Sequence, residues 1–144
     1  MADGEAGKWG VAEMVDLARR HAHLETVGKL DELMETLVAE PEYEFHPLGL
    51  AMRGGDLCRR YYAQFYEDFI SRVVGHEMIS ETIAAQTLSQ EYDISLRVDS
   101  GVETHRVVGV LFAEGDRLGG ERIYTSERMI RLMAGRVFDE FEPL

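Results

Sequence analysis

The chain has a single cysteine, three prolines and one tryptophan. Cys58 has no second thiol to pair with, so no internal disulfide staples the fold, and a reducing, cytoplasmic setting is the expectation. No apolar run approaches the roughly 20 residues that span a bilayer, and no signal-peptide pattern opens the sequence. Basic residues are scarce. Against 27 Asp and Glu stand 15 Lys and Arg, a formal net charge of −12. That balance argues against nucleic acid and against anionic membrane surfaces, both of which select basic patches. Familiar short motifs are missing too. There is no GxxxxGK(S/T) loop, no GxGxxG and no GxSxG elbow, and hence no sign of a nucleotide site or a hydrolase nucleophile. No CxxC or HxxxH spacing occurs, and His21 and His23 lie on different helix faces, a poor metal pair. No metal and no cofactor is expected, and Cys58 reads as a small buried thiol.

What is present is an ordinary globular composition over 144 residues, 45% apolar and 29% charged, enough for one domain with its own core. Residues 1–10 carry three glycines and read as a flexible leader. Val11, Met14, Val15, Ala18 and Ala22 then fall at helical spacing to about Thr26. A second helix is expected over about 29–39, with Pro41 stopping it. Tyr43 to His46 reads as an edge strand, and Met52 to Gly55 as a turn. Asp56 is the expected N-cap of a third helix that runs to about Val73, with Leu57, Tyr61, Tyr62, Phe65 and Phe69 on one face.

After Gly75 the period changes to that of strands. Candidate strands are Met78–Ala85, Leu88–Arg97, Thr104–Ala113 and Leu118–Thr125, and Ser126 caps a short helix closed by Gly135. This order predicts an α+β domain: a cone-shaped, curved antiparallel sheet closed by three N-terminal helices, with a short C-terminal helix. The domain is expected over residues 11–135, followed by an acidic tail at 136–144. Such a cone leaves a central cavity suited to a small apolar molecule.

The run GKLDELMETLVAEPEYEFHPLGLAMRGGDLCRRYYAQF and the later GVLFAEGDRLGGERIYTSERMIRLMAG together resemble the SnoaL-like branch of the nuclear transport factor 2-like superfamily. The resemblance covers about residues 11–135. It implies a deep apolar pocket and a homodimer through the outer sheet face, with Val107, Gly109 and Leu111 or their alternates in the interface. Members of that superfamily include ketosteroid isomerases, polyketide cyclases, epoxide hydrolases, dehydratases and binding proteins. The implied function is binding of an apolar, polycyclic or smaller, carbonyl compound, with proton transfer in isomerisation, aldol cyclisation or dehydration. The alternative is a non-catalytic binding protein or structural dimer of the same fold.

Site residues carry over position by position. The isomerase base, which precedes a proline, corresponds to His46, and a histidine suits proton transfer near neutral pH. The oxyanion tyrosine on the first helix corresponds to His21. The second oxyanion donor falls near Val107 or Val108, neither of which can donate a side-chain hydrogen bond. The cyclase acid/base position falls near Ile123, which is inert, but Glu121 shares its sheet face and is the expected replacement. The expected catalytic set is therefore His46, Glu121 and His21. The expected pocket lining is Tyr43, Tyr62, Phe65, Gln90, Val108 and Ile123, with Phe69 beside Phe65 at the mouth. His105 and Arg106 lie on opposite strand faces, and Asp93 is expected to face out. The epoxide-hydrolase set of two aspartates around an arginine finds no match at Arg53 or Arg106.

Overall fold

The structure is a computed structural model and describes residues 8–144. Residues 1–7 of the expected leader lie outside the described residues; within it, the Trp9 indole N–H donates to the Ala85 carbonyl at 2.7 Å.

Helix α1 (Val11–Val27) buries Met14, Leu17, Ala18, His21 and Leu24, one stripe at helical spacing. Helix α2 (Leu30–Glu35) is only six residues long. Leu37 and Val38, expected to continue its stripe, instead begin strand β1 (Leu37–His46), and Pro41 lies inside that strand. Pro41 is tolerated because β2 (Leu50–Arg53) pairs with β1 only from Glu42 onward. The expected turn at Met52–Gly55 is thus half strand.

Helix α3 (Gly55–Gln64) starts at Gly54 rather than Asp56, and the Glu40 carboxylate accepts from the Gly55 N–H at 3.3 Å. A wide π-type turn (Phe65–Phe69) and a last turn α4 (Ile70–Arg72) continue it. Phe65 and Phe69, four residues apart and so on one side, stack at 4.8 Å.

Strands β3 (Val73–Ile83), β4 (Thr87–Val98), β5 (Gly101–Glu114) and β6 (Arg117–Tyr124) follow. Ser126 caps α5 (Glu127–Ala134) by accepting from the Met129 N–H at 3.1 Å. A 3-10 turn (Gly135–Glu140) leads to β7 (Glu142–Pro143), so the tail ends as a seventh strand.

The sheet order is β3-β4-β5-β6-β1-β2-β7. Every pairing is antiparallel except β1 with β6, which is parallel. The sheet is curved and unclosed, with helices on its inner side, an α+β cone. Tyr43, Phe45, Tyr61, Tyr62, Phe65 and Phe69 are all buried against α1 and α5 in one core. Burial of each such ring contributes roughly 2–3 kcal/mol. Among the described residues, no helix is long and apolar enough to cross a membrane.

Candidate functional site

One irregularity decides which side chains enter the cone. Leu118 pairs with Ala113, but Gly120 pairs with Phe112 and Glu121 with Leu111. Gly119 is therefore an extra residue, a bulge. Strict alternation from the buried Leu118 would send Arg122 inward. The bulge reverses this: Glu121 and Ile123 point into the cone, and Arg122 lies outside over the Phe112 ring. Gly120 is required here, at φ +148 and so close to the Glu42 carbonyl that any Cβ would collide with it.

Glu121 shares the inner face with Tyr43 on β1, Leu111 and Gly109 on β5, and Gln90 and Tyr92 on β4. The Glu121 side chain is half-buried, with protein crowding its carboxyl. Burial first, and the Glu25 charge second, push its pKa up to about 8. At neutral pH it is a carboxylic acid able to donate a hydrogen bond. Tyr61 and Tyr92 lie in the same neighbourhood, and burial together with the Glu121 and Glu25 charges raises both phenols. Glu121, Tyr61 and Tyr92 make no side-chain hydrogen bond to the described residues, yet no polar side-chain atom among those residues is both sealed and unpartnered. Their polar atoms therefore open onto space that water reaches. On the side of α1 and β3, His76, exposed, stacks on Tyr92 at 4.9 Å, and Met78, 42% exposed, pairs with Tyr92 across the strands. At one side Arg19 of α1 grips Glu81 of β3 at 2.7 and 3.0 Å, and Gln90 donates to the same carboxylate.

A line of polar contacts starts at Tyr43, the β1 neighbour of Glu121, and runs to α1. Tyr43 and Tyr62 hydroxyls meet at 2.6 Å, and Tyr62 donates to Glu25 Oε1 at 3.4 Å. That same oxygen is 2.7 Å from His21 Nε2, while His21 Nδ1 is 2.7 Å from Thr36 Oγ1. Thr36 spends its own hydrogen on the Leu33 carbonyl, so Nδ1 carries the proton in that contact. Cys58 lies nearby, its thiol pushed up to about 12 by burial and then by Glu25 and Glu121. At that value it is an inert thiol at neutral pH.

The expected site residues divide accordingly. Glu121, His21, Tyr43, Tyr62, Gln90 and Ile123 are all on the inner side. His21 is 1% exposed with both ring nitrogens engaged, so it has no free N–H for a ligand carbonyl. Phe65 and Phe69 are packed into the core rather than lining a mouth. Val108 points outward beside Tyr124; its neighbour Val107 is the inward residue. His46 is also on the outer face. Its ring stacks on Tyr124 at 4.8 Å and its Nε2 contacts Glu44 at 2.9 Å. Tyr43 and Phe45, the alternate residues of β1, take the inner face. The structure thus puts Glu121 and His21 on the inner side of the sheet and His46 on the outer. His105 faces inward at the rim, held by Ser126 and Glu103. Arg106 faces out with Asp93 and Glu91, as expected for Asp93. The tail folds back on its own chain, with Phe141 stacked on Phe45 at 4.6 Å.

Sequence reasoning missed Glu25, and its signal was there: it lies one helical turn after His21, the spacing at which helix side chains meet. Two surface clefts of about 380 and 390 Å³ lie elsewhere, one at Leu37, Gly55 and Arg117 and one at Trp9, Asp16 and Arg20. Neither reaches Glu121. Neither brings together a set of inward polar groups without side-chain partners such as Glu121, Tyr61 and Tyr92, and this set, not a cavity volume, makes the inner face of the cone the candidate site.

No protein-family model matches the chain, and no curated protein matches it. Solved structures do resemble it. An NTF2-like protein from Burkholderia xenovorans is 12% identical with a TM-score of 0.68, over 89% of this chain and all of that one. An NTF2-like protein from Anabaena variabilis is 16% identical with a TM-score of 0.62, over 80% and 90%. A hypothetical protein of ketosteroid isomerase-like fold from Catenulispora acidiphila, solved in complex with trimethylamine, is 15% identical with a TM-score of 0.59, over 83% and 92%. At these identities the likeness shows the fold alone: NTF2-like, or ketosteroid isomerase-like.

Proposed function

We propose that the protein binds a small, mainly apolar carbonyl compound inside the cone and exchanges a proton with it, in an isomerisation, cyclisation or dehydration. The observation that carries this reading is Glu121: a half-buried carboxylic acid on the inner face, with no side-chain partner among the described residues and not sealed from solvent. With Tyr61 and Tyr92 it forms a set of donors that a carbonyl oxygen would satisfy. Such donors stabilise charge that develops on that oxygen, typically by a few kcal/mol each. The SnoaL-like resemblance of the two sequence runs supports the same class. His46, on the outer face, has no part in this chemistry.

A ligand-observed NMR screen of small cyclic ketones tests the reading. Hits are expected with the native protein, retained in Glu121→Gln, which keeps a donor, and lost in Glu121→Leu. Hits that persist unchanged in Glu121→Leu would refute it.

A second reading is favoured by the acidic, tyrosine-rich lining and by the neighbour solved with trimethylamine: a non-catalytic site for a small amine. A cation would sit against ionised Glu121 and the tyrosine faces. The two readings differ in sign. Amine binding strengthens as pH rises through about 8, where Glu121 ionises, and carbonyl binding weakens.

The protein also forms a homodimer in this proposal, through the convex face. Val108, Val110, Phe112 and Tyr124 form its apolar centre. Around them Arg106, Asp93, Glu91 and Glu44 offer both charge signs, which lets two copies of one surface pair about a two-fold axis.

A further inference from the structure

The proton exchange proposed above needs a group to receive the proton, and Glu121 holds its own at neutral pH. Glu25 has the geometry for that task. Its Oε1 lies 2.7 Å from His21 Nε2, an ion pair in which the imidazole carries protons on both nitrogens because a carboxylate only accepts, and it receives the Tyr62 hydroxyl at 3.4 Å. Its Oε2 has no hydrogen-bond partner among the described residues, and the side chain is 27% exposed. One oxygen is thus engaged and the other unpartnered among the described residues. The His21 contact is itself braced, because His21 Nδ1 is fixed on Thr36, whose hydroxyl is fixed on the Leu33 carbonyl. A base held this way loses little freedom in the transition state.

We infer that Glu25 is the general base of the cone site, with His21 as the residue that positions it. The inference rests on the reading of the cone as a site for carbonyl compounds.

The step balances within the site. Glu25 Oε2 takes a proton from the carbon next to the carbonyl. The C–H electron pair becomes the C=C bond of an enol or enolate, and the C=O pair moves onto oxygen, which the Glu121 hydroxyl and the Tyr61 and Tyr92 phenols stabilise. Glu25 then returns the proton, to the same carbon or to one conjugated with it. The acid stands on β6 and the base on α1, joined through Tyr43, which pairs with Glu121 across the strands, and Tyr62, which contacts both Tyr43 and Glu25.

Nitrobenzisoxazole is a suitable probe, since its ring opening needs one base and no other reagent. The base removes the ring C–H proton, the C–H pair forms a nitrile, the N–O bond breaks, and the coloured phenolate leaves. Binding is read first, by chemical-shift changes at Tyr92 and Tyr61, and turnover second. The native protein is expected to bind the probe and turn it over. Glu25→Gln is expected to lower kcat by about 100-fold or more, with KM within about threefold, since the amide keeps the shape and the contact to His21. Glu25→Asp, which shortens the reach but keeps the carboxylate, is expected to fall between the two and serves if the amide variant does not fold. Turnover in Glu25→Gln within about threefold of native overturns the inference while leaving the site itself standing. Absence of binding at Tyr92 and Tyr61 by both the probe and the cyclic ketones overturns this inference and the carbonyl reading beneath it, whereas ketone binding without probe turnover in the native protein overturns this inference alone.

Discussion

The Glu121 carboxyl occupies the space that a side chain on Gly109 would fill. Its Oε1 lies 2.5 Å from where a Cβ on Gly109 would sit. Two strands cooperate in this placement: the bulge in β6 turns Glu121 inward, and the missing side chain on β5 gives it room.

Gly109→Ala therefore tests the placement. The added methyl has to displace the carboxyl, at a cost of roughly 1–3 kcal/mol in a packed interior. The variant is expected to fold, to lose ketone binding by about tenfold or more, and to move the Glu121 titration down toward the ordinary carboxyl value of 4.5. Unchanged titration and binding would mean that the carboxyl does not lie over Gly109.

The raised Glu121 value also bears on stability. The folded state keeps this proton up to about 8, whereas the unfolded chain releases it near 4.5. Stability from this group is fully present below 4.5 and is lost as pH rises toward about 8, because the folded state binds more protons across that window. Glu121→Gln removes this slope. Relative to the native protein it is expected to be more stable at pH 9 by a few kcal/mol, with the gain shrinking steadily toward pH 5. Urea unfolding across that range measures it, and parallel curves for the two proteins would contradict the account.

Gly120→Ala tests the bulge. At φ +148, with the Glu42 carbonyl in the way of any Cβ, the substitution is expected to cost roughly 3 kcal/mol or more. A melting temperature within a degree or two of native would show that the β1–β6 seam does not approach as closely as described.

The outer face gives a prediction of its own. Sedimentation at micromolar concentration is expected to show a dimer, and Val110→Glu, at the middle of the convex face, a monomer with the Glu121 titration unchanged. His46→Ala, on the same face, is expected to leave ketone binding unchanged. A native monomer would remove the dimer, and loss of ketone binding in His46→Ala would contradict its placement outside the cone.

The sequence was most legible where period and burial agree. The stripe of α1, the alternation from Leu88 to Leu96 and the Ser126 cap were all readable, and so was the α+β cone. It was least legible where local signals conflict with long-range pairing. Leu37 and Val38 extend a helical stripe but are claimed by the parallel seam with β6, a partner some eighty residues away in the chain. His46 looked like an inward base because a proline follows it, yet alternation from the buried Tyr43 and Phe45 sends it outward. The choice between Glu121 and Arg122 turned on the Gly119–Gly120 bulge, which a strict period of two cannot register. Glu25 was hidden because its role depends on a helix facing a strand nearly a hundred residues later, although its pairing with His21 is local.

The central claim is that Glu121 is a neutral acid inside the cone at physiological pH. The most direct measurement is a carbon-detected NMR titration of its side-chain carboxyl, assigned by comparison with Glu121→Gln. A midpoint near 8, shifting when a ketone binds, is the result this account predicts. A midpoint near 4.5, the value of an ordinary exposed carboxyl, would contradict it and leave the cone without its acid.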